Sequence, residues 1–189
     1  MRAPVLAVGE VGLGLMGRLA VRERGLVTAS VRALVPDDID IVVEFSLRAW
    51  APVFESFRTI LGERVFQAIY PDWLESQASA VATVCRDEAA DVFVAEIQRR
   101  PVGYVAVVFH EEGAATCGEI DMLAVDPDQQ NSGLGTALTD FAVKHIRASG
   151  CHLAVIGTGG DPGHAAARRT YEKAGFTALP TVRYYKWLA

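Results

Sequence analysis

Residues 118–135 read Gly118-Glu119-Ile120-Asp121-Met122-Leu123-Ala124-Val125-Asp126-Pro127-Asp128-Gln129-Gln130-Asn131-Ser132-Gly133-Leu134-Gly135. The first eight residues alternate as a strand does. Ile120, Met122 and Ala124 are expected on one face, and Glu119, Asp121, Leu123 and Val125 on the other. A helical pattern follows the glycines at once: Leu134, Ala137, Leu138, Phe141, Ala142 and Ile146 share one face, and Gly150 is a stop. The turn from Gln130 to Gly135 therefore sits between a strand and a helix N-terminus. Backbone N–H groups there have no helical acceptor, and the helix dipole adds positive potential. Such a turn suits phosphate oxygens without any basic side chain, and Gly133 and Gly135 let the backbone curl close to a ligand.

Working outward, two more strands precede this one, Asp91–Ile97 and the almost wholly apolar Val102–Phe109. They are separated by the turns Arg99-Arg100-Pro101 and Glu111-Glu112-Gly113, which makes an antiparallel meander. Further upstream, Val31–Val35 reads as a first strand, and Pro36, Asp37 and Asp38 suit a helix start. Ile39, Val43, Leu47 and Trp50 recur at helical spacing, and Pro52 breaks or kinks that helix. Phe54, Phe57, Ile60 and Leu61 form a second helical piece ending near Gly62. A third helix starts after Pro71-Asp72 and carries Trp73, Leu74, Ala78, Val81 and Val84. Downstream come a buried strand at Leu153–Ile156, a last helix at Ala165–Ala174 stopped by Gly175, and a closing strand at Thr181–Leu188. The order predicts an α/β fold: a mixed, mostly antiparallel central sheet with helices on both faces.

The chain has 189 residues, 51% hydrophobic and 22% charged. One globular domain that buries roughly two thirds of its unfolded surface is expected. A net charge of −5 argues against a nucleic-acid binder. No apolar run reaches the ~20 residues of a membrane span. Cys85, Cys117 and Cys151 are isolated and odd in number, which fits neither a disulfide framework nor a Cys-x-x-Cys metal pair, and a reduced, cytoplasmic setting is expected. No His/Cys/Asp cluster has metal-ligand spacing, so no metal is expected.

Residues 12–17 read Gly12-Leu13-Gly14-Leu15-Met16-Gly17, a G-x-G-x-x-G match. A dinucleotide fingerprint needs a helix after the third glycine. Here Gly25 follows too soon, and Asp37 and Asp38 sit beside Pro36 as a helix start. Residues 1–27 are therefore read as an extension, and residues 28–189 as the domain.

Val125-Asp126-Pro127 ahead of the glycine turn, and His164 to Phe176 with Tyr171-Glu172-Lys173-Ala174-Gly175-Phe176 behind it, together with the strand order, resemble the GNAT superfamily of acyl-CoA-dependent N-acyltransferases. The resemblance covers about residues 28–189 and implies the acyl-CoA N-acyltransferase fold. It implies that acetyl-CoA lays its pyrophosphate on the backbone of Gln130, Asn131, Ser132, Gly133, Leu134, Gly135 and Thr136. Its pantetheine arm would pair with Leu123, Ala124 and Val125, with His164, Ala167 and Tyr171 completing the cofactor site. Asn131 stands where the family often has Gly or a basic residue, and His164 where it often has Asn. The resemblance further implies Tyr171 as general acid toward the departing thiolate and Glu119 as a base acting through water, with Asp121 nearby. Trp50, Phe54 and Glu119 would line the acceptor pocket.

These residues lead to an N-acetyltransferase acting on a primary amine of a small molecule or peptide. No nucleic acid, membrane or metal is implied, and homodimers are common in the family. A non-catalytic acyl-CoA-binding domain is the alternative. Which amine is used, and whether the acyl group is acetyl or longer, is not readable from the residues.

Overall fold

A computed structural model describes residues 17–20 and 28–188. Six strands form one sheet in sequence order: β1 Gly17–Ala20, β2 Thr28–Ala33, β3 Ala90–Ile97, β4 Arg100–Glu112, β5 Ala115–Val125 and β6 Leu153–Ile156. Neighbours from β1 to β5 are antiparallel, and β6 joins β5 in parallel. The helices are α1 Ile39–Ile69, α2 Trp73–Arg86, α3 Leu134–Ala148 and α4 Ala165–Lys173. The mixed sheet expected from the sequence is thus present. None of the described helices is long and apolar enough to cross a membrane.

Two apolar clusters cover the two faces. Val105, Val107, Ile120 and Val125 pack with Leu134, Leu138, Phe141 and Ile146 of α3. On the other face, Val94, Tyr104, Ala106 and Ala124 pack with Ile39, Val42 and Phe45 of α1 and Val81, Val84 and Cys85 of α2. Burial of Tyr104 pushes its phenol pKa well up. A three-element ion pair joins β2, β3 and the start of α1. Arg32 grips Asp38 at 2.6 and 2.9 Å and donates from Nε to Glu96 at 2.9 Å. The guanidinium holds the Asp38 carboxyl below its ordinary range despite burial.

Four features differ from the sequence reading. First, β5 does not alternate evenly. Ala106 opposes Met122 while Val107 opposes Ile120, so Asp121 is the extra residue of a β-bulge. Ile120 therefore shares the α3 face with Leu123 and Val125, and Glu119 falls on the same side as Met122 and Ala124. Second, α1 runs through Pro52, which is exposed, where the lost N–H bond faces water. Its non-helical residue is Gly62, with φ 74°. The buried stripe is Ile39, Val42, Phe45, Ser46 and Val53, so Val43, Leu47 and Trp50 are only half-buried. Third, residues 181–188 form no strand. The tail lies along α1 instead, with Trp187 under the Arg64 guanidinium at 4.0 Å. That contact takes an aromatic ring which a closing strand would have laid on the sheet.

Fourth, Gly17 opens strand β1, paired with Val31, where a dinucleotide fingerprint requires a helix. The rest of that motif, Gly12 to Met16, lies outside the described residues. The sheet thus begins within the segment read as an extension.

Close packing on the α3 face is testable. A Cβ on Gly118 would lie 2.6 Å from both Cγ1 and Cγ2 of the buried Ile146. Gly118→Ala should destabilise the fold by about 1–3 kcal/mol. Thermal unfolding should then show Tm lowered by several degrees; an unchanged Tm would contradict this packing.

Candidate active site

The parallel pair β5–β6 is short. Cys117–Ile120 pairs with Leu153–Ile156, and the strands then part. Beyond Ile120 the β5 edge that faces away from β4 has no strand partner among the described residues. A cavity of about 590 Å³ opens there. Its walls are Ile120–Val125 of β5, Ile156–Thr158 after β6, the start of α3, one side of α4, and Ala49, Trp50, Pro52 and Val53 of α1.

The floor of the cavity is the turn before α3. Asp126 closes the end of β5. Its N–H donates to Val102 O at 2.8 Å, and its buried carboxylate accepts from Asp128 N–H at 3.0 Å and from Arg48 at 2.9 Å. Arg48 also reaches Asp128 at 3.1 Å, which ties α1 to this turn. Gln130 turns its side chain back, donating to Val125 O at 3.2 Å. Ser132 donates to Gln129 O at 2.6 Å, and Leu134 is buried under the loop. The backbone is left-handed at Asn131 (φ 62°) and Gly133 (φ 91°). Asn tolerates that conformation better than most side chains, which accounts for Asn131.

The first bond of α3 is Ala137 N–H to Gly133 O. Among the described residues, none of the six N–H groups from Asn131 to Thr136 has an acceptor in the protein. A Cβ at Gly133 would meet no atom within 4 Å, and one at Gly135 only Val125 Cγ2 at 3.9 Å. The loop is a fan of free donors before an open space, and it suits an anion.

Tyr171 enters from α4. The helix ends in a Schellman turn: Gly175 N–H donates to Glu172 O and Phe176 N–H to Tyr171 O, both at 3.0 Å, with Gly175 at φ 91°. The accompanying apolar contact is Tyr171 against Phe176, ring centroids 6.3 Å apart. The Tyr-Glu-Lys-Ala-Gly-Phe sequence is thus a helix stop that fixes Tyr171 at the cavity wall. Burial alone pushes its phenol up to about 12, so it stays protonated at neutral pH.

Of the residues singled out from sequence, Leu123, Ala124, Val125, Gln130, Asn131, Gly133, Gly135, Thr136, His164, Ala167, Tyr171 and Trp50 line this one cavity. Ser132 and Leu134 are buried in the turn and do not line it. Phe54 is stacked on Trp73 with centroids 4.2 Å apart and borders a second cavity between α1 and α2. Glu119 stands outside the cavity, 3.9 Å from His110 across the β4–β5 pair, whereas Asp121 lines it. Sequence reading missed the side of α4 that carries Ala166, Arg169 and Thr170, and the Ile156–Thr158 wall; a period-3.6 projection from Tyr171 would have found the first. It also missed that the β4–β5 register brings ligand atoms of His110, Glu112 and Cys117 within 4.8 Å of one another.

The description of the acetyltransferase (GNAT) family matches residues 50–176, and the chain belongs to that family. A mycothiol acetyltransferase of Amycolatopsis mediterranei is 30% identical over 165 residues, 80% of this chain and 47% of that protein. One from Saccharomonospora viridis is 31% identical over 123 residues, 58% of this chain and 40% of that protein. The chain thus spans less than half the length of these curated relatives. Among solved structures, a GNAT-family acetyltransferase of Desulfovibrio desulfuricans superimposes with TM-score 0.59 and 24% identity, over 80% of this chain and 87% of that one. The aminoglycoside N-acetyltransferase AAC(6')-Iy in complex with CoA gives TM-score 0.56 and 12% identity, over 94% and 100%. At these identities the structures show a shared fold.

Arg48 should govern the order of the donor loop. In Arg48→Met, amide hydrogen exchange is expected to quicken at Asp126–Gly133 and stay slow in the α3 core. Unchanged exchange in the turn would mean that the ion pair does not hold it.

Proposed function

We propose that this chain transfers the acetyl group of acetyl-CoA to a primary amine of a small molecule or peptide by direct attack. One observation carries the reading: an unpaired strand edge, the loop residues Asn131, Gly133, Gly135 and Thr136 with their free backbone N–H groups, and the half-buried Tyr171 line the same cavity. The donor loop fits a pyrophosphate, and the free β5 edge fits the amides of a pantetheine arm, which can add to it as a strand would. Acetyl-CoA supplies the acyl group as a thioester.

The residues of the chain do the rest. Asn131 to Thr136 anchor the phosphates, and Leu123 to Val125 align the arm so that its end runs toward α4. Trp50 on α1 provides an apolar wall for the acceptor. Tyr171 gives its proton to the departing sulfur, a role open to a phenol, which carries its proton at neutral pH. Family membership supports the transfer chemistry, and the CoA-bound neighbour supports the donor. The name of the curated relatives makes mycothiol-related amines the first acceptors to test.

An amine panel followed by thiol release from acetyl-CoA tests this directly; binding of acetyl-CoA without turnover on any amine would point to a binding domain instead. Gly135→Val should fold, because the nearest protein atom leaves room, yet fill the anion space. Calorimetry should show acetyl-CoA affinity reduced by at least ~10-fold, equal to about 1.4 kcal/mol. Unchanged affinity would refute the loop as the phosphate site. Tyr171→Phe should lower kcat by ~10²-fold with the KM for acetyl-CoA unchanged. A loss of affinity at full kcat would make Tyr171 a packing residue.

A further inference from the structure

The turn that leads into α4 holds a pair of side chains in contact, Asp161 and His164, of which the resemblance placed His164 against the cofactor. Asp161 caps the 3₁₀ turn Pro162–His164, accepting from Gly163 N–H at 2.9 Å, and its other oxygen meets His164 Nδ1 at 2.5 Å. The two side chains are only 8% and 12% exposed. Burial alone would raise the Asp161 carboxyl. The bonds from His164, Ser56 and Gly163 outweigh that and hold it below its ordinary value. A carboxylate at Nδ1 keeps the imidazole proton there and leaves the lone pair on Nε2.

Nε2 has no partner among the described residues, and it is not one of the buried unpartnered atoms, which are Ser46 Oγ and Arg58 Nε. It therefore opens to solvent, and His164 lines the cavity. The ring is fixed on its other sides. Trp50 packs edge-on with centroids 6.0 Å apart, and Phe57 lies at 5.8 Å. Arg168 pins the turn through Gly159 O and Asp161 O at 2.5 and 2.7 Å. Gly159 itself has no room for a Cβ, which would fall on Asp161 Oδ1 and His164 Nδ1.

We propose that His164, oriented by Asp161, is the base that takes the proton from the acceptor ammonium. The inference rests on the transferase reading above. Glu119, the carboxylate that the resemblance implied, stands outside the cavity, and Asp121 sits exposed on the bulge. His164, the residue that caps the start of α4, and Tyr171 seven residues later near the end of that helix both line the cavity. Its charged surroundings are Asp161 and Arg168 beside it, Arg169 and Lys173 on α4, and Asp121 across the cavity; α1 offers only uncharged Trp50, Ser56 and Phe57.

The protons balance. His164 Nε2 accepts one from the ammonium and passes it to solvent. The free amine attacks the thioester carbonyl, the C–N bond forms and the C–S bond breaks. Tyr171 protonates the sulfur and regains a proton from the acylated nitrogen. One proton is released per turnover.

His164→Gln and His164→Asn keep polarity but remove the base. Each is expected to lower kcat by ~10²-fold while acetyl-CoA affinity by calorimetry stays within about twofold. Asp161 is a positioning residue. Imidazole ¹⁵N spectra of the free protein should show the Nδ1–H tautomer of His164, and Asp161→Asn should lose that preference while keeping a native circular-dichroism spectrum. The proposal fails if the His164 variants lose acetyl-CoA affinity at full kcat, if the free protein carries the Nε2–H tautomer, or if Glu119→Gln takes the loss in kcat while the His164 variants do not. Wild-type protein that turns over no amine would overturn the transferase reading itself, and the tautomer spectrum would still report on the pair.

Discussion

The pairing of β5 with β6 over only four residues is the constraint on which the rest of the structure depends. Backbone N–H and C=O groups inside a fold need partners. After Ile120 and Ile156 the two strands separate, and the free edge of β5 faces the cavity. The bulge at Asp121 falls at that point. A bulge adds twist and re-aims the side chains that follow it, so the same residue that interrupts the alternation also begins the opening.

Everything around the opening holds it apart. The α3 cluster fixes one face of β5 through Ile120 and Val125, and the α1–α2 cluster fixes the other through Ala124. Arg48 and Asp126 tie the end of β5 to α1, while Arg32 joins α1 to β2 and β3. The donor loop is therefore set by rigid elements on three sides. Its free N–H groups need not reorganise to meet an anion, which is the form of preorganisation that makes electrostatic binding effective.

Much of this was legible in the sequence, because the decisive signals are local. The strand–glycine turn–helix passage and the Tyr-Glu-Lys-Ala-Gly-Phe helix stop are each short-range hydrogen-bond patterns, and local chemistry dictates them. Asn131 and Gly133 announce left-handed backbone by residue type. What was hidden depends on non-local geometry. The bulge is invisible to a period-2 reading, and it moved Glu119 to the side of the sheet away from the expected one and left it facing His110. Phe54 looked like a pocket residue, yet α1 turns it onto Trp73. The tail from Thr181 has strand propensity but meets the flank of α1, where Arg64 captures Trp187. Each of these outcomes was set by which surface a segment meets, not by the segment itself.

The central claim is that the gap between β5 and β6, floored by the loop before α3, is where CoA binds. Titration of ¹⁵N-labelled protein with CoA, followed amide by amide, tests it most directly. The account predicts the largest shift changes at Asn131 to Thr136 and at Leu123 to Val125, with little change in β1 to β3. Shifts concentrated elsewhere, or none at millimolar CoA, would contradict it.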